Sequence, residues 1–193
     1  MTFAEIAIII CLVCFLLLFV DFETFDEVQS SVDRKYYKVK DAPNQEEASN
    51  IIAILNARVI EMMRHLKSLP PSPMINNLLK RFNPDVVVEH IPRYWNRDTS
   101  YTIMKGKSLH MCIRDASGEF HDINTLTFVM LHEISHIASD ALNHPDSFWY
   151  AFRFILNEAV KIGIYDPIDY RSAPIRYCKN IDIDYSPLYD ETL

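Results

Sequence analysis

Residues 126–142 read LTFVMLHEISHIASDAL, a largely apolar stretch long enough for several helical turns that nevertheless carries two imidazoles and a carboxylate in its middle, at HEISH. Burying such groups without partners costs on the order of a few kcal/mol apiece, so any fold of this chain must give them a joint role or an open face. On a helix, residues four apart are turned by about 400°, which puts His132 and His136 on one face a turn apart. Glu133 lies about 100° round from His132, close to that pair without pointing at its centre. Two imidazoles with this spacing suit Zn²⁺, which in catalytic sites takes three protein ligands and keeps a fourth position for water. Glu133 is then placed to take a proton from that water. The competing explanation is that two histidines and an acid fell on one helix by chance, with their polar groups satisfied in a core or facing water.

A third ligand must come from outside the motif, and two candidates follow it. His144 stands seven residues after His136, beyond a break in the helix, so the chain can fold back and present it. Glu158, in ILNEAV, offers a carboxylate from the next helix. If residues 145–161 form one straight helix the two are about 20 Å apart, so only one can reach the ion, and His144 is preferred. Asp140 is better suited to supporting a ligand than to being one. Phe148, Trp149 and Phe152 recur at helical spacing and read as core packing. His90, His110 and His121 have no motif around them and read as surface or structural residues. Tyr165, Tyr170 and Tyr177 are candidates, by position alone, for steadying an oxyanion.

The chain has 193 residues, room for one hydrophobic N-terminal element and one domain of ordinary size. Residues 3–20, FAEIAIIICLVCFLLLFV, are apolar all round and of the length that spans a bilayer, and no small-residue cleavage site precedes Asp21. The expectation is a single-pass membrane protein: a transmembrane anchor over 1–21, a tether over 22–43 without periodicity, and a domain over 44–193. Arg34, Lys35, Lys38 and Lys40 favour the cytoplasmic side for that domain. A net charge of −7 argues against a broad electrostatic grip on nucleic acid, and none is expected as a partner. Cys11 and Cys14 lie in the apolar run, leaving Cys112 and Cys178 as the pair in the soluble part. Spacing alone does not join them, and a cytoplasmic domain would keep them reduced.

Within the domain, Asn44 with Glu47 forms a capping box for a long amphipathic helix carrying Ile51, Ile52, Leu55, Val59, Met62, Met63 and Leu66, stopped by Pro70 and Pro71. Ser72 and Pro73 begin a second helix. DVVVEHI, YTIM and SLHMCIRD read as strands, the last two joined across Lys105-Gly106-Lys107 as a hairpin. Asp122 caps the motif helix, and a further helix runs from Pro145 to Lys161, closed by Gly163. The stretch after Asp166 reads as irregular. The order gives a two-layer α+β domain.

HEISH followed by His144-x-x-x-Phe148-Trp149 resembles the small zincin-type peptidases of the SprT-like and WLM group. TSYTIMKGKSLHMCIRD and EAVKIGIYDPIDY, with the later Tyr-Cys, resemble membrane-tethered members of that group from large DNA viruses and their algal hosts. The likeness covers roughly residues 85–178. It implies a minimal zincin fold in which SLHMCIRD lies along the cleft and binds extended peptide by strand addition, with His144 as third ligand. It implies a zinc-dependent peptidase acting on a peptide or protein substrate near a membrane. The alternative is a catalytically silent binding module on the same fold. The group's DNA-dependent members rely on basic DNA-binding regions, and the acidic balance of this chain, with its expected anchor, sets it apart from that role.

Overall fold

The structure is a computed structural model and describes residues 2, 5–6, 8–10, 24–83, 87–90, 100–103, 106–179 and 181–193. Strands β1 (Phe25–Gln29) and β2 (Tyr36–Lys40) pair antiparallel, with Phe25 opposite Lys40. Every second residue of β2 faces inward, and Tyr37 and Val39 are buried against helix α1 (Gln45–Ser68). The stretch read as an irregular tether is thus a docked hairpin. β1 is mostly polar and half-exposed, which hides its strand period.

Helix α1 buries Ile52, Leu55, Val59, Met62 and Leu66 along one face, as its periodicity predicts. Its start differs from expectation. Asn44 adopts a left-handed conformation with φ of 65° and makes no side-chain cap. A capping side chain normally acts from extended backbone, which Asn44 lacks, and Gln45 reaches back to the Lys40 carbonyl and the Asp26 carboxylate. Ser72 does cap α2 (Pro73–Arg81), accepting from the Ile75 amide at 3.2 Å.

Strands β3 (Val87–Glu89), β4 (Tyr101–Ile103) and β5 (Ser108–Met111) form a sheet in the order β3-β5-β4, with β3 parallel and β4 antiparallel to β5. The strand SLHMCIRD is therefore central, and both of its edges are taken. Among the described residues the sheet ends at β3 and β4, which corrects the expectation that SLHMCIRD itself receives a peptide. Gly106 turns the hairpin with φ of 107°, and a Cβ there would lie 2.9 Å from the Arg81 carbonyl oxygen, so glycine is required on both counts.

Helix α3 (Ile123–Ser139) carries the motif and packs against α1, α2 and α4 (Asp146–Lys161). Being apolar nearly all round, it is buried along 12 of its 17 residues. Asp122 caps it, accepting from the Asn124 and Thr125 amides at 3.0 and 2.9 Å. After α4, which Gly163 follows in a left-handed conformation, the chain forms a further hairpin of β6 (Ile175–Tyr177) and β7 (Ile181–Ile183). A disulfide joins Cys112 to Cys178 across 66 residues of sequence, a closure that stabilises by roughly 4 kcal/mol on the chain-entropy argument.

The N-terminal expectation requires correction. Residues 5–6 and 8–10 are helical, residues 11–23 lie outside the described residues, and among the described residues no helix is long and apolar enough to cross a membrane. A span needs about 20 apolar residues in one continuous helix. The single-pass membrane localisation, with its cytoplasmic domain, is withdrawn on that ground.

Candidate metal centre

Helix α3 sets His132 and His136 with ring centroids 5.0 Å apart. Asp140 then ends the helix in a left-handed conformation, φ 59°, and its carboxylate pairs with Arg81 at 2.6 Å. The chain reverses there and returns His144 to a point 4.9 Å from His132 and 5.0 Å from His136, centroid to centroid. The three rings stand at the corners of a nearly equilateral triangle. One nitrogen from each lies within 4.8 Å of the others, and the Nε2 atoms of His132 and His144 are 3.1 Å apart. Tetrahedral zinc with bonds of about 2.0–2.1 Å separates its ligand nitrogens by about 3.3 Å, so this cluster is of the right size for one ion.

Each imidazole is held in a form that can ligate. Nδ1 of His136 donates to the Ala141 carbonyl at 3.1 Å, which fixes the tautomer and leaves Nε2 as the free lone pair. Burial, with the nearby His136 and His144 adding to it, drives the His132 pKa down to about 3. Burial also lowers those of His136 and His144, although the Ala141 bond opposes it at His136. All three are neutral at pH 7, the state a cation requires. Beneath them lies Phe148, fully buried, with its ring 4.8 Å from His132, 4.4 Å from His136 and 4.6 Å from His144. Of the aromatic residues that read as core packing, Phe148 and Phe152 are buried in the core, whereas Trp149 is half-buried and with Phe152 lines the cleft; the Phe148 ring is also the floor of the histidine cluster.

The cluster opens on a cleft of about 780 Å³ that Glu133 also lines. Ser100, Tyr101 and Thr102 at edge strand β4 make one part of its wall, and residues 181–185, with β7, make another. Glu133 is buried, and its charge adds to the burial that raises the pKa of Tyr177, so the two groups face each other electrostatically.

The remaining candidates are dispersed. Glu158 is not in the cluster: its carboxylate bonds His65 of α1 at 2.6 Å and Lys161 at 2.5 Å. Burial pushes its pKa up, but those two partners outweigh burial and hold it below the ordinary carboxylate value. Tyr165 and Tyr170 pack on Phe128 in the core, away from the cleft wall. Tyr177 borders the cleft, but its hydroxyl donates to the Cys112 carbonyl at 2.6 Å. His110 stacks on Tyr101, His90 meets that ring edge-on, and His121 accepts from the Cys178 amide. The wall at residues 181–185 was missed, although IDIDY alternates with the period of a strand. The Ala141 carbonyl leaves no trace in a sequence.

Fold and site together define an α+β protein with small sheets, in which a histidine cluster able to hold a metal ion floors a cleft. No protein-family model matches the chain. The "Uncharacterized protein R325" of Acanthamoeba polyphaga mimivirus is 32% identical over 183 residues, covering 90% of this chain and 91% of that protein. The chain belongs to the family of that mimivirus protein. The "Uncharacterized protein 136R" of Invertebrate iridescent virus 6 is 43% identical over 70 residues, 35% of this chain and 39% of that protein. The "Uncharacterized protein 042R" of Invertebrate iridescent virus 3 is 42% identical over 69 residues, 35% of this chain and 43% of that protein. Among solved structures, Wss1 from Saccharomyces cerevisiae superposes with a TM-score of 0.49 at 22% identity, over 63% of this chain and 84% of that one.

Proposed function

We propose that the chain is a zinc-dependent metallopeptidase whose ligands are His132, His136 and His144 and whose general base is Glu133. The observation that carries the reading is the meeting of three neutral imidazoles within 4.8 Å at the floor of a cleft that Glu133 also lines. A zinc ion held there supplies a Lewis acid that polarises a carbonyl and acidifies a water. Glu133 accepts the proton of the attacking water and returns it to the leaving amine.

The substrate is a peptide in extended form. Among the described residues β4 ends its sheet and lines the cleft, so an extended peptide laid along the cleft would add to it as a further strand. The unit needed for this includes the β1–β2 hairpin, because Tyr37 and Val39 belong to the same core as the motif helix. Nucleic acid is not expected as a partner of a chain of charge −7. A silent binding module would have no use for a carboxylate buried beside the histidines.

The test is Glu133→Gln. The variant keeps the size of the side chain and loses the base, so it should bind zinc as the native chain does and hydrolyse peptide at least a hundredfold more slowly. Undiminished hydrolysis would remove Glu133 from its role.

A further inference from the structure

The two walls of the cleft come from distant parts of the chain, and one small cluster ties them. The Cys112 amide donates to Ser100 Oγ at 3.0 Å. Tyr177 donates its hydroxyl proton to the Cys112 carbonyl at 2.6 Å, and its oxygen lies 2.7 Å from Ser100 Oγ. A phenol has one proton to give, so the Ser100 hydroxyl must donate to Tyr177. The three bonds close a ring in which every donor has one acceptor: Cys112 N–H to Ser100, Ser100 O–H to Tyr177, Tyr177 O–H back to the Cys112 carbonyl.

The ring joins three elements. Ser100 precedes edge strand β4, Cys112 follows β5, and Tyr177 ends β6, whose hairpin partner β7 also lines the cleft. The Cys112–Cys178 disulfide closes the same junction covalently, one residue from Tyr177. His121 adds a further tie, accepting from the Cys178 amide at 2.9 Å while its ring lies 4.9 Å from that of Tyr177. Tyr177, Cys112 and Cys178 are all buried.

We infer that Tyr177, with Ser100 and the Cys112–Cys178 disulfide, is a clasp that sets the spacing of the two cleft walls, and that Tyr177 is a positioning residue for an extended peptide. This rests on the proposed hydrolytic reading for its substrate, but the clasp itself does not. The Tyr177 proton is committed within the ring, so the hydroxyl acts on wall geometry and not on the scissile carbonyl.

The test measures the full chain in three forms: native, Tyr177→Phe and Ser100→Ala. Each is assayed for amide hydrogen exchange at residues 100–103 and 181–183, zinc content, and peptide KM and kcat well below the melting temperature. Tyr177→Phe loses both hydrogen bonds of the hydroxyl and should speed exchange in both walls by at least about tenfold. It should raise KM severalfold with kcat and zinc content kept, and Ser100→Ala should do the same more weakly. A Cys112→Ser/Cys178→Ser variant that folds should show the larger effect. Unchanged exchange in both walls overturns the clasp. So does a fall in kcat with KM and exchange unchanged, because that is the signature of an oxyanion donor. A native chain that binds zinc and cleaves no peptide defeats the hydrolytic reading, and the exchange rates then still decide the clasp.

Discussion

Phe148→Leu separates the two tasks assigned to one buried ring. The substitution removes three side-chain carbons from a fully buried site, which at about 0.8 kcal/mol per methylene-sized group, with a cavity contribution, destabilises by roughly 2–3 kcal/mol. It also withdraws the floor from all three imidazoles, whose rings lie 4.4–4.8 Å from that of Phe148. Groups that orient metal ligands typically contribute about ten- to a hundredfold in metal affinity, and a loss of that size is expected. Phe152→Leu is the control, because Phe152 is equally buried but its ring approaches His132 alone, at 5.2 Å. Urea denaturation of the metal-free proteins gives the first quantity, and competition for zinc against a chromophoric chelator gives the second. Both variants should lose similar stability, and Phe148→Leu should lose distinctly more zinc affinity. Equal zinc affinities in the two variants would refute the floor.

Acid should act on the metal-free protein through His132. Its pKa falls from 6.5 to about 3 on folding, so between those values the unfolded chain binds the extra proton. Stability is then complete above pH 6.5 and lost as pH falls towards 3, at up to about 1.4 kcal/mol per pH unit. Urea midpoints against pH, native minus His132→Asn, should show this slope, and a flat difference would mean the imidazole is not held away from water. Asp122→Ala removes a cap from two amides at the start of α3 and should destabilise by about 1 kcal/mol with zinc binding intact. A thermal melt and a metal assay check both halves of that statement.

Local signals were the legible ones. Ser72 and Asp122 cap where their sequence context places them, α1 buries the periodic face, and Gly106 turns the hairpin between β4 and β5. The strand order was not legible: β3 inserts beside β5 from 20 or so residues away, and no local pattern says that SLHMCIRD becomes central. The same holds at the site. One face of a helix collects His132 and His136, but that His144 and not Glu158 stands beside them depends on a left-handed Asp140 and on His65, 93 residues from Glu158. The Cys112–Cys178 bridge is likewise a product of the fold, since 66 residues of spacing carry no pairing information. The β1–β2 hairpin escaped notice because only β2 has an inward face of large apolar residues.

The most direct test is bound zinc per chain for the purified native protein, His144→Ala and Glu158→Ala. A metal centre built from His132, His136 and His144 predicts about one zinc in the native chain, retained in Glu158→Ala and lost in His144→Ala. A native chain without zinc, or one that keeps its zinc when His144 is removed and loses it with Glu158, would contradict the site.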